Sequence, residues 1–101
     1  MVEVVNMRTC DPPWGQPGDV RIDRATKWGN PHRILTSDKL GRERQMVCIM
    51  YETDFALSGL DISELAHAKR LGCWCKPKRC HGDFLKKKIE NYLAKQQRTL
   101  I

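Results

Sequence analysis

Long hydrophobic runs are absent from this sequence of 101 residues, and none approaches the roughly 20 apolar residues that a membrane-spanning helix requires. The first residues show no basic segment followed by an apolar one, so we expect no secretory leader and no membrane partner. Internal repeats and low-complexity segments are also missing, while the hydrophobic (41%) and charged (30%) fractions are those of folded proteins. These features predict a single small domain over residues 1–101, with a frayed tail at 96–101.

Cysteine occurs in an odd number, which argues against a framework of disulfides. Three of the five cysteines, Cys73, Cys75 and Cys80, fall within eight residues of one another. Without a secretory leader we expect the thiols to stay reduced. The cluster is therefore expected to bind a metal or to react as thiols, whereas Cys10 and Cys48 are interpreted as incidental or buried.

Positive charge exceeds negative charge, since 18 Lys and Arg residues against 12 Asp and Glu residues give a net charge of +6. Such an excess favours anionic partners, namely nucleic acid, nucleotides or phosphorylated small molecules, although solubility alone is an alternative explanation. The cations are clustered at Arg21, Arg24 and Lys27, at Lys76, Lys78 and Arg79, and at Lys86, Lys87 and Lys88. Separate clusters favour a shaped anion site over a basic tail.

Hydrophobic periodicity and turn residues predict six elements. In chain order they are a strand at Val2–Asn6, a strand or extended arm at Asp19–Asp23, a helix at 42–57, a short helix from Asp61 to about Arg70, a buried strand at Leu71–Cys75 and a helix from about His81–Asp83 to about Gln96. Helical spacing gives the first helix one apolar face, made of Met46, Val47, Met50, Tyr51 and Phe55. Trp74 is expected in the core. This order predicts an α/β fold, with a short sheet of about three strands packed against about three helices, like a fragment of a Rossmann fold.

The segment from Gly72 to Asp83 carries the strongest signal of a site, because it reads as a strand, a basic loop and a helix N-terminus in succession. Free backbone N–H groups in the first turn of a helix attract anions, and ligand sites in α/β sheets lie beyond the carboxyl ends of the strands. Lys76 and Arg79 would add positive charge there, and Gly82 would let a ligand approach the backbone.

Cys80 directly precedes this helix and is followed by His81. A thiol at a helix N-terminus among cations is expected to have a lowered pKa, so Cys80, His81 and Asp83 are the candidate catalytic residues. Two alternatives stay open: Cys80 is a half-buried structural residue, and Asp83 is a helix cap.

A zinc site is the other interpretation of the cysteines, with Cys73, Cys75, Cys80 and His81 as ligands. Residues two apart on a strand point the same way, so Cys73 and Cys75 could share an ion. Structural zinc sites, however, usually combine separated Cys-x₂₋₄-Cys pairs, and the spacing here is Cys-x-Cys-x₄-Cys-His. Zinc is therefore the alternative to the catalytic role, and no other cofactor is indicated.

A second candidate segment is Arg24-Ala-Thr-Lys-Trp-Gly-Asn-Pro31. An exposed Trp28 flanked by Lys27 and Asn30 would suit stacking on a base or ring while Lys27, with Lys76 and Arg79 of the other segment, holds a phosphate, and Arg24 is a further candidate ligand-binding residue. The alternative is a turn in which Trp28 fills the core and Asn30 ties the backbone. His32 follows the turn and is placed within reach of the same pocket.

Taken together, the motifs Lys27-Trp-Gly-Asn-Pro31 and Gly72-Cys-Trp-Cys-Lys-Pro77 followed by Cys80-His-Gly-Asp83 resemble the family catalogued as domain of unknown function 4326. Its members are small proteins of bacteriophages, bacteria and archaea, and the resemblance covers nearly the whole chain. It falls on Arg24, Lys27, Trp28, Gly29, Asn30, Pro31, Cys73, Trp74, Cys75, Pro77, Cys80, His81, Gly82 and Asp83. The resemblance implies no established activity. Family members often have Ile-Gly-Arg where this chain has Ile22-Asp23-Arg24, and a carboxylate there would weaken an anion site unless it pairs with Arg21 or Arg24.

Two functions follow from these observations. The first is a small nucleotide- or phosphate-ligand-binding domain, enzymatic or not, with its site between the Trp-Gly-Asn-Pro loop and the Cys-His-Gly-Asp helix start. The second is a non-enzymatic nucleic-acid-binding module, stabilised by zinc, that uses Lys86–Lys88 on the last helix. Either is expected in the cytoplasm, which is that of the host cell if the protein is phage-encoded.

Overall fold

The computed structural model describes residues 2–32, 42–76, 78 and 80–99, and of residues 97–99 the backbone alone. Across these residues, three short strands and two long helices carry the fold. In order they are β1 (Glu3–Asn6), β2 (Asp19–Arg21), α1 (Arg42–Ser58), a short 3-10 helix (Ile62–Leu65), β3 (Arg70–Cys73) and α2 (His81–Thr99). The predicted α/β class and the small single-domain architecture are confirmed.

The sheet is parallel, and β3 lies in its centre between β1 and β2. Leu71 pairs with Val4 on one side and with Val20 on the other, and all four residues of β3 are buried. Burial extends even to Arg70, whose guanidinium donates to both carboxylate oxygens of Asp19 at 2.8 and 2.6 Å. Hydrogen bonds from Arg70 lower the pKa of the Asp19 carboxyl to about 2. The central strand can thus hold a charge because that charge is fully paired.

The hydrophobic core lies between this sheet and the two helices. Ile22, Leu71, Leu85 and Ile89 are at most 1% exposed, and α2 contributes the last two of them. Their spacing of four residues places Leu85 and Ile89 on one face of α2.

The apolar face predicted for α1 is wrong in part. Met46 is 62% exposed and Met50 is 40% exposed, whereas Cys48 and Tyr51 are buried. The Tyr51 ring lies 4.9 Å from the His81 ring and 6.0 Å from the Phe84 ring, between centroids. Because α1 packs on α2 through Tyr51, the face that carries Met46 and Met50, which are four positions apart, is turned outward.

The helix predicted from Asp61 to Arg70 is also wrong in extent. Asp61 caps the short 3-10 helix Ile62–Leu65 by accepting a hydrogen bond from the Ser63 N–H, and β3 then begins at Arg70 instead of Leu71. Since β3 ends at Cys73, Trp74 and Cys75 lie in the loop that follows it. At the other end of the chain, α2 continues to Thr99, beyond the predicted end at about Gln96.

All three parallel strands deliver their following loops to one edge of the sheet, since their carboxyl ends, at Asn6, Arg21 and Cys73, meet there. In the described part of the chain, no helix has the length and apolarity needed to cross a bilayer. The edge at the carboxyl ends is where ligand sites form in folds of this class.

Candidate functional site

The loops after β2 and β3 converge on a cavity of about 390 Å³, which α1 and the start of α2 complete. We call it the cysteine–arginine cavity. Its lining consists of Asp23, Arg24, Asn30, His32, Arg44, Val47, Cys48, Cys73, Trp74, Cys75, Cys80 and His81. Six of the predicted site residues therefore meet in one place: Arg24, Asn30, Cys73, Cys75, Cys80 and His81. Arg79 lies outside the described residues.

The loop of the Trp-Gly-Asn-Pro motif is held by Asn30, which is 7% exposed. Its side-chain amide donates to the Val47 carbonyl on α1 at 2.9 Å, and its side-chain oxygen accepts from the His32 N–H at 3.0 Å. Arg24 closes the same loop by donating to the Asn30 and His32 carbonyls at 2.9 and 3.1 Å. Asn30 therefore ties the backbone, as one sequence interpretation expected, and Arg24 is positioned at the cavity by the loop it braces.

The stacking role predicted for Trp28 is wrong. This side chain is 5% exposed, and its ring stacks on Phe55 inside the core. The hydroxyl of Tyr51 donates to the Trp28 carbonyl at 2.8 Å, which fixes the turn to α1. Lys27 does not reach the cavity either, because its ammonium pairs with Glu64 at 2.8 Å.

The aromatic side chain at the cavity is instead Trp74, which the sequence had placed in the core. Because β3 stops at Cys73, Trp74 leaves the sheet and is 56% exposed. Its indole N–H donates to Asp23 Oδ2 at 2.9 Å, which holds the ring at the cavity wall.

Asp23 joins the two loops and carries a buried negative charge. Arg21 donates to its Oδ2 at 2.5 Å. This is one of the two arginine pairings that we expected to keep a carboxylate at position 23 from weakening an anion site. Hydrogen bonds from Arg21 and Trp74 lower the pKa of Asp23. Its other oxygen, Oδ1, is buried and has no hydrogen-bond partner within the described structure. With its charge balanced by Arg21, Asp23 does not cancel the cations of the cavity.

The three clustered cysteines lie in mutual contact at the floor of the cavity. The Sγ atoms of Cys73 and Cys80 are 3.5 Å apart, and both thiols are within hydrogen-bond reach of Cys75. Hydrogen bonds from Cys73 and Cys80, with a further contribution from Arg44, hold the pKa of Cys75 far below its usual range. Contacts with Cys73 and Cys75, together with burial, raise the pKa of Cys80.

The expectation of a low pKa at Cys80 is therefore wrong. Cys80 is 4% exposed, and its burial opposes ionisation even beside a helix terminus. Cys75, which the sequence offered as a metal ligand or as one of the reactive thiols, is the half-buried member of the cluster, and its pKa is lowered.

His81 is buried at the first position of α2, and burial lowers its pKa. Its Nε2 lies 2.6 Å from the Ile22 carbonyl. Since a carbonyl only accepts, Nε2 carries the proton and Nδ1 keeps the lone pair. The ring is thus neutral and its tautomer is fixed by the loop after β2.

Lys76, Gly82 and Asp83 have structural roles at the start of α2. The Asp83 carboxylate accepts from the Cys80 N–H at 3.3 Å and pairs with Lys76, which is a helix-capping arrangement. At Gly82 a Cβ would lie 2.7 Å from Val4 and 2.9 Å from Ile22, so this glycine permits close packing of α2 on the sheet. The ligand-binding roles predicted for Lys76 and Gly82 are therefore not supported by their positions, and neither residue lines the cavity.

Zinc binding at the cysteines stays a prediction. Over the residues described, no three or more His, Cys, Asp or Glu side chains form a group that could hold a metal ion.

Comparison with known proteins places the chain among relatives of unknown activity. A family model described as "Domain of unknown function (DUF4326)" matches residues 5–91. The chain belongs to this family. An "Uncharacterized 12.4 kDa protein in nrdA-td intergenic region" of Enterobacteria phage T4 is 36% identical over 74 residues, which are 66% of this chain and 63% of the relative. The chain thus matches less than two thirds of that protein's length. No solved structure matches this chain.

Every residue that lines the cysteine–arginine cavity falls inside the DUF4326 match. Sequence reasoning missed Arg44, Val47 and Cys48, because they reach the cavity only through the packing of α1. For Asp23 a signal existed, since it is the position where this chain departs from the Ile-Gly-Arg pattern of the DUF4326 family. For Trp74 the signal was its position beside the predicted loop. The predicted strand extended two residues too far, to Cys75, and this error concealed the position of Trp74.

Proposed function

We propose that the chain binds a nucleotide or a similarly sized phosphorylated ligand in the cysteine–arginine cavity. The observation that carries the proposal is that residues of both candidate segments line one cavity: Arg24 and Asn30 come from the first segment, and Cys73, Cys75, Cys80 and His81 come from the second. Its volume of about 390 Å³ falls in the range of about 300–1,000 Å³ typical of small-molecule sites.

Arg24 and Arg44 would bind the phosphate. The contacts of Arg24 with the Asn30 and His32 carbonyls engage only part of its guanidinium donors, and they hold the side chain at the cavity. Arg44 comes from the first turn of α1 and lies near the Cys75 sulfur. Since Asp23 is paired with Arg21, the two cavity arginines outweigh the one thiolate and favour an anionic ligand.

Trp74 would supply the surface on which a base or another flat ring stacks. More than half of its surface is exposed at the cavity wall, and its hydrogen bond to Asp23 fixes the orientation of the ring. Stacking on a preoriented indole costs little conformational entropy, which favours binding. His81, neutral and with its Nδ1 lone pair, would be the proton acceptor if the bound ligand reacts.

Thermal-shift screening of nucleotides and phosphorylated metabolites, followed by calorimetry, tests the proposal. A ligand should raise the melting temperature, and Arg44→Gln should weaken its binding about tenfold or more, because a charge-assisted hydrogen bond contributes about 1.5–3 kcal/mol. Arg42→Gln is the matched control, since Arg42 is an exposed arginine two positions earlier on α1 and does not line the cavity.

Equal effects of the two substitutions, or the absence of any ligand among nucleotides and phosphorylated metabolites, would contradict the proposal. Salt-sensitive binding to DNA or RNA that depends on Lys86 and Lys88, and not on Arg44, would instead identify the nucleic-acid-binding alternative.

A further inference from the structure

The outward side of α1 carries exposed hydrophobic side chains that neither the core nor the proposed site uses. Within the described part of the chain, six large hydrophobic side chains are exposed, and four of them lie on α1: Met46, Ile49, Met50 and Leu57. At 3.6 residues per turn these four point within about 100° of one another, on the side of α1 opposite the buried Cys48 and Tyr51. We call these four residues the α1 apolar face.

From this face and the charges beside it, we infer that α1 is a docking surface for a cationic amphipathic helix of a partner protein. Contiguous exposed apolar surface marks a site of protein or membrane contact. Leu57 is 82% exposed, and the two methionines have unbranched side chains that adapt to the shape of whatever packs on them. Met46 and Leu57 are eleven positions apart, about 17 Å along the helix, which is the length that about three turns of a second helix would cover.

The charges on α1 favour a cationic occupant. Between Gln45 and Ser58 the sequence has two charged residues, Glu52 and Asp54, and both are acidic. Helical spacing places Glu52 on one flank of the α1 apolar face and Asp54 on the other. Asp54 pairs with His32 at 2.5 Å, but its side chain is 49% exposed and still reaches solvent. Lys or Arg residues on either side of the apolar stripe of a partner helix would therefore meet a carboxylate on each flank.

The same carboxylates disfavour two other occupants. A second copy of the chain paired through this face would bring the carboxylates of Glu52 and Asp54 against those of the other copy, and like charges across an interface oppose association. An anionic lipid surface would be repelled for the same reason, since helices that lie on membranes carry Lys and Arg on their polar face. A cationic helix is the occupant that satisfies both the apolar face and its flanks.

Titration of the full-length protein with a designed helical peptide tests this inference. The probe has Leu along one face and Lys at its other positions, and the matched peptide has Glu in place of every Lys. We expect calorimetry to show that the Lys peptide binds at least about tenfold more tightly than the Glu peptide, with an affinity that falls as salt is added. Non-specific attraction by a chain of net charge +6 would give the opposite preference, so the comparison separates the α1 apolar face from the overall charge.

Substitutions and NMR locate the contact. Leu57→Gln should weaken binding of the Lys peptide at least about fivefold, and Glu52→Lys should reduce the preference for the Lys peptide by a similar factor. Leu93→Gln is the matched control, because Leu93 is an exposed leucine on α2, and it should change binding less than about twofold. In spectra of protein with labelled methionine methyl groups, the Met46 and Met50 resonances should shift on binding, whereas that of the buried Met7 should not.

Several results would overturn the inference. These are equal or tighter binding of the Glu peptide, no saturable binding of the Lys peptide up to about 1 mM, and equal effects of Leu57→Gln and Leu93→Gln. A dimer in analytical ultracentrifugation that Leu57→Gln abolishes would also overturn it, because the face would then belong to a second copy. Binding to anionic lipid vesicles that the same substitution abolishes would assign the face to a membrane instead.

Discussion

Substitution of Gly82 by alanine is the sharpest test of how the start of α2 sits on the sheet. The added Cβ would lie 2.7 Å from Val4 Cγ1, 2.9 Å from Ile22 Cδ1 and 3.2 Å from Cys80 Sγ. Ile22 is fully buried and has no room to move outward. Overpacking of this kind costs about 1–3 kcal/mol, and the helix preference of alanine over glycine returns at most about 1 kcal/mol.

Because two of these distances are below 3.0 Å, we expect a cost in the upper part of that range, so the net loss in the free energy of unfolding should be about 1–2 kcal/mol, which lowers the melting temperature by about 4–16 °C in a domain of this size. Thermal denaturation followed by circular dichroism measures it. Val4→Ala removes the nearest contact, so the double variant should lose less stability than the sum of the two single variants, with a coupling of at least about 0.5 kcal/mol. A Gly82→Ala protein as stable as the wild type, but defective in ligand binding, would refute the packing role and restore the ligand-approach role.

Three other predictions concern the supports of the site. Burial lowers the pKa of His81 below 6.5, so the contribution of His81 to stability should be constant above about pH 6.5 and fall below it by up to about 1.4 kcal/mol per pH unit, because the unfolded state takes up the proton first. The loss from Asp19, with a pKa of about 2 against the usual 3.8, should begin only near pH 4, and His81→Gln should remove the earlier phase in pH-dependent melts. Asn30→Ala removes two hydrogen bonds of a buried side chain and should cost about 2 kcal/mol in chemical denaturation, whereas Asn91→Ala, at an exposed position of α2, should cost little. Lys27→Ala breaks a solvent-exposed ion pair with Glu64 and a cation–π contact with the Trp28 ring at 5.3 Å, so it should lower stability by about 1 kcal/mol and leave ligand affinity unchanged in calorimetry.

Much of the fold follows from local sequence signals. Periodicity, turn residues and caps predict the start of α1, the buried β3 and the start of α2. Each of these elements begins within a residue or so of its predicted position. The convergence of the two motif loops also follows from sequence, because parallel strands deliver their following loops to the same edge. Where the cavity lies was therefore predictable from the order of the elements.

The roles of individual side chains at the cavity were harder to predict, because they depend on which way each loop residue turns. Trp28 and Trp74 exchanged their expected environments: the first packs on Phe55, and the second leaves the sheet because β3 ends one residue before it. The thiol with the lowered pKa is likewise Cys75 and not Cys80, because burial and the contacts among the three thiols outweigh the effect of the helix terminus on Cys80. Neither outcome has a signature in spacing alone.

The remaining site residues depend on long-range packing. Arg44 precedes the aromatic contact of α1, and only the docking of Tyr51 against His81 brings it over the cysteines. Asp23 became a pairing partner because Arg21, the last residue of β2, lies two positions before it. Charge clusters in a sequence thus indicate that a site exists. They are a less reliable indication of which cations line that site.

The indole N–H resonance of Trp74, observed by two-dimensional NMR during titration with the nucleotide that gives the largest thermal shift, tests ligand binding at the cavity most directly. This proton sits in the hydrogen bond to Asp23, so a ring stacked on Trp74 should shift its resonance in a saturable manner. Trp14 packs against Gly72 and does not line the cavity, so its indole N–H resonance should not shift. A saturable shift of Trp14 with none at Trp74 would contradict ligand binding in the cysteine–arginine cavity.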